Sequence, residues 1–308
     1  MNAKRAGWAF LWMTIVYLAA SLIISFFVPF LSVAWLAFLT ELCLLVPALI
    51  VLSKGRVQLL EQLHIKGIKP TTALMVFVYH ICTYPVVIAM NSFSMAVSDN
   101  KALDITAEFK DESLFFMWLF IGLVGPLVEE FVFRGIILGG LRTTGRIFSA
   151  IVLSAVLFAL AHMNINQFSY TIFAGVFWGL LVEATGSLIP SMLCHITMNS
   201  VSVITAYLLQ DSLGEIDEML GQSGMESTAG YLLTGVSFLI ISVFTTVLAL
   251  LMLRVIALNE GRTGCFENIF RKKSRAEKYG SIVTVPLIIG ICLASVVTIA
   301  MFIMELVS

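Results

Sequence analysis

The sequence predicts an all-α, polytopic transmembrane bundle of about eight to nine membrane helices surrounding a polar intramembrane cavity. Three observations predict it. Of 308 residues, 59% are hydrophobic and only 12% charged, and the mean hydropathy is +1.00, far more apolar than a globular domain. Apolar runs of about 18 residues or more recur, and about 20 helical residues cross a bilayer's hydrocarbon core. These runs lack the alternating polarity of barrel strands, and a backbone in lipid must satisfy its own hydrogen bonds, so helices are the expected form.

Nine helical segments follow from the apolar runs and the Gly, Pro and charge clusters between them: 7–28, 33–53, 71–97, 114–142, 147–163, 168–185, 187–209, 231–253 and 280–304. The first follows Lys4 and Arg5 like a signal sequence, but it exceeds the roughly 7 to 15 apolar residues of a cleavable one. It is therefore read as a retained helix, with Trp8 and Trp12 near the interface. The second segment carries Glu41 and the sixth closes on Glu183; structural pairing is favoured over catalysis for both. Gly135 and Gly139 in the fourth, and Gly175 and Gly179 in the sixth, permit close helix approach. The chain divides into N-terminal helices with an external loop (1–113), a polar core (114–209), and an acidic loop, C-terminal helices and basic loop (210–308), all within one membrane domain.

Charge orients the bundle. With the N-terminus in the cytosol, nine crossings place 16 of the 18 Lys and Arg residues on or near the cytosolic side, leaving Lys101 and Lys110 outside. Asp211 to Glu226, with five acids and no base, suits an external loop. Val57 to Ile65 reads as an interfacial amphipathic helix, and Arg271, Lys272, Lys273 and Arg275 as a simple topology determinant, favoured over contact with anionic headgroups. No basic surface for nucleic acid is evident. The five cysteines lack a CxxC pair or metal spacing; Cys43, Cys82, Cys194 and Cys292 read as small buried residues in spans, and Cys265 lies in a polar loop.

Ionisable groups in lipid cost several kcal/mol, so those that persist are functional candidates. The fourth segment holds Glu129, Glu130 and Arg134. On a helix Glu130 and Arg134 share a face, whereas Glu129 is rotated by about 100°. The pair would brace the helix and leave Glu129 to hold and deprotonate a water. Phe158 and His162 are one turn apart, so the ring walls the pocket the imidazole faces. His195 and Asn199 are likewise one turn apart, an imidazole and an amide suited to stabilising an oxyanion. Counted at about 1.5 Å per residue, Glu129 and His162 lie roughly 20 and 23 Å from the cytosolic ends of their segments, but His195 only roughly 12 Å. An irregular Gly186 to Pro190 lead is expected to place the following helix deeper.

Glu-Glu-x-x-x-Arg, Phe-x-x-x-His and His-x-x-x-Asn, the last after a Gly-Ser-Leu-x-Pro lead, together resemble the CAAX protease and bacteriocin-processing enzyme family, which includes type 2 CAAX prenyl endopeptidases and bacterial Abi proteins. The resemblance covers about residues 115–205. It implies an intramembrane endopeptidase in which Glu129 activates the water, His162 positions it, and His195 and Asn199 stabilise the oxyanion, with Glu130, Arg134 and Phe158 in support. The peptide bond as target comes from the resemblance alone. The implied partners are a membrane-associated or lipidated substrate and the bilayer, and the implied location is a bacterial plasma membrane. No cofactor is required in the favoured reading. Zinc on Glu129, His162 and His195 is the alternative, in a family often labelled metalloprotease, although His-Glu-x-x-His is absent and Asn199 is a poor ligand. Two further readings stay open: a secondary transporter, which predicts paired broken helices where one candidate break is visible, and a non-proteolytic immunity or scaffold protein.

Overall fold

The computed structural model describes residues 2–24, 31–53, 65–98, 113–223, 227–271 and 280–307. Among these every regular element is a helix: α1 (Ala3–Ile24), α2 (Val33–Ser53), α3 (Pro70–Met95), α4 (Leu114–Thr144), α5 (Ile147–Ala161), α6 (Ile165–Thr185), α7 (Ile189–Ser223), α8 (Ser227–Asn259), the short α9 (Cys265–Phe270) and α10 (Val285–Val307). Eight are long and apolar enough to span a membrane. The fold class is as expected, and the chain is an integral, multi-pass membrane protein. Large hydrophobic side chains such as Leu232, Leu233, Phe244, Val296 and Val307 face outward, where a soluble protein would place charge and a lipid-embedded one needs none.

Several boundaries differ. α5 has 15 residues, about 22 Å at 1.5 Å each, and falls short of the core that its assignment as a span implied. α7 continues to Ser223, so much of the expected external loop is helical; its acids suggested a loop, but a helix that has left the bilayer tolerates charge. α9 occupies part of the expected polar loop and buries Cys265. Of the cysteines read as buried, Cys194 is buried, Cys43 and Cys82 are half-buried and Cys292 is exposed. The expected interfacial helix at 57–65 and most of the basic stretch 271–275 lie outside the described residues.

The basic helix ends gather at one end of the bundle. Glu260, just past α8, accepts from the Lys69 backbone N–H at 3.0 Å and from Thr72 Oγ1 at 2.5 Å, capping α3 from another helix. Asn259 Nδ2 donates to Thr71 and Thr72. Arg142 at the end of α4 pairs with Glu183 at the end of α6 (3.1 Å), so Glu183 has the structural partner expected of it. Arg262 donates to the Glu183 carbonyl at 3.0 Å. Gly7 of α1 meets Thr284 and Leu287 at the start of α10. Since α4 and α6 end side by side, α5 runs back between them and delivers its C-terminus to the interior. Gly175 and Gly179 make that packing tight: a Cβ on either would lie 2.9 Å from Ala155 or 2.8 Å from Ile151 of α5.

Candidate active site

α4 is not a uniform helix. Trp118–Val124 and Phe131–Leu138 are π-helical and flank an α-helical segment, Gly125–Glu130, that ends on the acid pair. π turns inside α-helices recur at functional sites, and Pro126 gives this one a cause. The Gly125 N–H reaches back five residues to the Phe120 carbonyl, and Pro126 has no N–H to offer. The Ile121 carbonyl is therefore denied both donors that would normally take it. Asn199 Nδ2 of α7 supplies the missing hydrogen bond at 3.1 Å. One amide hydrogen is thereby fixed on the helix, while the other and the amide oxygen remain for the cavity that Asn199 lines.

The candidate residues converge. Glu129 Oε1 lies 3.8 Å from His162 Nε2, and Oε2 lies 3.3 Å from His195 Nε2. His195 Nδ1 lies 3.0 Å from Glu130 Oε1, which is also 2.9 Å from Arg134 Nη1. The Nδ1 contact to Glu130 is a hydrogen bond, and Nε2 stands within charge-contact distance of Glu129. His162 is arranged differently. Its Nδ1 donates to the Phe158 carbonyl at 2.9 Å, and in the neutral ring this leaves the Nε2 lone pair free.

Chain geometry places these groups. His162 caps the C-terminus of α5, and Met163 takes a left-handed backbone (φ 48°), uncommon for a side chain of this size. Asn164 then caps α6 by accepting from the Gln167 N–H. At the other turn, Gly186 is left-handed (φ 68°), and Ser187 and Leu188 are fully buried. α7 thus starts inside the bundle, as the irregular lead required, and His195 reaches the level of Glu129.

Aromatic rings hold the charged core. Trp178 stacks on His195 with centroids 4.3 Å apart. Phe158 stands edge-on to His162 at 4.8 Å and to His195 at 5.7 Å, and the Arg134 guanidinium lies 4.3 Å over its ring. The Glu130–Arg134 contact is an ion pair without hydrogen-bond geometry, and Arg134 Nη1 and Nη2 and Glu130 Oε2 have no hydrogen-bond partners. Ring faces therefore provide much of the guanidinium's compensation.

A cavity of about 280 Å³ opens on Glu129, His162, His195 and Asn199, and is also lined by Thr40, Glu41, Gln167 and Tyr170. Glu41 is not taken up by a cation among the described residues; it faces this cavity with Oε2 buried and unpartnered. Trp178, Tyr170 and Pro126 are contributors that sequence reasoning passed over. The first two look like ordinary core aromatics, but the missing N–H of Pro126 was a readable signal.

The donors do not form a zinc site as they stand. Among the described residues no three His, Cys, Asp or Glu side chains are grouped to hold a metal. His162 and Glu129 could each offer a lone pair, whereas His195 Nδ1 is hydrogen-bonded to Glu130 and Nε2 lies 3.3 Å from Glu129.

Comparison with known proteins bears on the same helices. Residues 111–201 match the family model for the type II CAAX prenyl endopeptidase, Rce1-like. The match covers that segment alone. It spans α4 to α6 and the part of α7 that carries His195 and Asn199. The chain is similar to the membrane-embedded CAAX protease MroQ of Staphylococcus aureus (strain USA300), 31% identical over 105 residues, 32% of this chain and 42% of that protein. It is also similar to the putative membrane peptidase YdiL of Bacillus subtilis (strain 168), 30% identical over 82 residues, 27% of this chain and 34% of that protein. The matched regions thus span less than half of either relative. No solved structure matches significantly.

Proposed function

We propose that this chain is an intramembrane endopeptidase that hydrolyses a peptide bond of a membrane-associated or lipidated protein with a glutamate-activated water. The observation that carries the reading is Glu129, held between two imidazoles at the wall of a cavity and lying, like both of them, within the segment that matches the family model. Glu129 Oε1 and His162 Nε2 both accept hydrogen bonds and are 3.8 Å apart. A water placed against both donates its two hydrogens and turns its lone pairs outward, ready to attack a carbonyl carbon. Glu129 then takes one proton as general base.

As attack proceeds, charge builds on the carbonyl oxygen. His195 and Asn199 are the donors for it: the first is cationic when both nitrogens are protonated, and the second is anchored by its bond to Ile121. Glu130, Arg134 and Phe158 keep His195 in place, and the mechanism needs no metal. The clustered basic ends suit the cytosolic face of a bacterial plasma membrane, with the N-terminus inside.

The test uses cells carrying wild-type, Glu129→Gln or His162→Ala protein, with new peptide N-termini of membrane proteins mapped by mass spectrometry. Cleavages made by the wild type and lost in both variants are expected. Cleavage that persists in both would refute the assignment. Zinc analysis of purified protein, with activity measured after chelation, tests the metal-free mechanism separately.

A further inference from the structure

A second acid faces the same cavity from a helix outside the Rce1-like segment. Glu41 belongs to α2 and lines the cavity with Glu129, His162, His195 and Asn199. Its Oε2 is closed off and has no hydrogen-bond partner. Its Oε1 lies beside Gly125, where an added Cβ would stand 3.4 Å away. Gly125 is four residues, about one helical turn, before Glu129 on the same face of α4, so both carboxyl groups face the cavity from neighbouring positions. Thr40, Tyr17, Tyr170 and Gln167 are the other polar groups on that wall, and none of them is a cation.

Peptide hydrolysis needs two proton transfers at different atoms. Glu129 removes a proton from the attacking water, but the tetrahedral intermediate collapses to products only if its nitrogen gains a proton, because an amide anion is too poor a leaving group. Glu129 and His162 sit on the water's side, and His195 and Asn199 on the oxyanion's. Glu41, with a buried and unpartnered oxygen and no cation paired to it among the described residues, is the carboxyl group on this wall best suited to carry a proton.

We propose that Glu41 is the general acid that protonates the departing amine. This rests on the endopeptidase reading above and adds to it. The water oxygen bonds to the carbonyl carbon and its proton goes to Glu129. The C–N bond then breaks as the Glu41 carboxyl gives its proton to nitrogen. The proton on Glu129 passes through cavity water to the Glu41 carboxylate, which resets both groups. One peptide and one water become one acid and one amine.

The test compares two substrates of the purified full-length protein in micelles. The first is a quenched-fluorescent lipopeptide carrying a cleavage site mapped as above; the second is an aryl ester of the same acyl residues, whose phenolate leaves without a proton. General acid catalysis is worth about 10² to 10⁴ in rate. Glu41→Gln should therefore lower kcat on the amide about 100-fold or more, and at least about tenfold more than on the ester. Glu129→Gln, which removes water activation, should depress both. Glu41→Asp, which keeps the acid on a shorter arm, should recover part of the amide rate and covers the case in which the Gln variant does not fold. Equal losses on amide and ester, or an amide kcat within about threefold of wild type, would overturn the role of Glu41 and leave the endopeptidase reading intact. A wild type that cleaves neither substrate would overturn both.

Discussion

Glu130→Gln isolates the buried charge pair beneath the site. Glu130 and Arg134 have side chains 0% and 1% exposed and are 2.9 Å apart, so solvent screening does not soften the loss. Neutralising the carboxylate leaves a buried guanidinium without its paired charge, and breaking such a pair from one side costs about 3–5 kcal/mol. The companion Arg134→Met alone leaves Glu130 with His195 and Ser191 in place of its cation and should cost a similar amount. The double variant removes both charges and leaves one buried amide, so it should recover most of either single loss. Equilibrium unfolding in mixed micelles gives the four stabilities, and the coupling follows from the cycle. Activity should not follow stability: the double variant, having lost the Glu130 charge beside His195 Nδ1, should unfold much like wild type yet cleave slowly. Losses that simply add, or a single variant as stable as wild type, would refute the argument that burial makes these charges interdependent.

Gly179→Leu forces a side chain into space where even a Cβ lies 2.8 Å from Ile151. Overpacking of this kind costs about 1–3 kcal/mol, and because α5 carries His162 the variant should lose activity beyond its loss of stability; unfolding and turnover measured together check this. Asn199→Ala should reduce kcat about 10² to 10³-fold with KM little changed, read by steady-state cleavage of the mapped peptide. Burial opposes ionisation of Glu260, but hydrogen bonds from Thr72 and the Lys69 backbone, with the Lys69 charge, outweigh it and hold its carboxyl below the usual range. Its stabilisation of the α3–α8 joint is thus complete above the ordinary glutamate pKa, about 4.3, and is lost as pH falls through the lower folded value. Wild type should lose stability on acidification through that window more steeply than Glu260→Gln, and parallel pH profiles of the unfolding midpoint would contradict this.

What the sequence disclosed follows from what each residue must do alone. Long apolar runs can be little else than lipid-embedded helices, so the fold class was legible. Glu129, His162, His195 and Asn199 stood out because polar groups are costly in that setting. The role of Trp178 was hidden, since an aromatic in an apolar helix looks the same whether it packs on leucine or on an imidazole. The π turns were hidden because helix periodicity assumes 3.6 residues per turn, although Pro126 marks where that assumption fails. Depth counted along straight axes misplaced His195, because it cannot register that Ser187 and Leu188 already lie within the bundle. The helical reach of α7 to Ser223 was missed because acidic composition argues against a membrane but not against a helix.

The widened turns of α4 carry a consequence for how this architecture tolerates change. A turn closed by i→i+5 bonds absorbs about one residue more than an ordinary one while keeping the flanking stretches in phase. An insertion or deletion inside 118–124 or 131–138 is therefore taken up locally, whereas the same change in α6 would rotate everything beyond it by about 100°. Length variation between homologous chains should accordingly concentrate in those two windows, with the acid doublet between them staying aligned to its imidazoles.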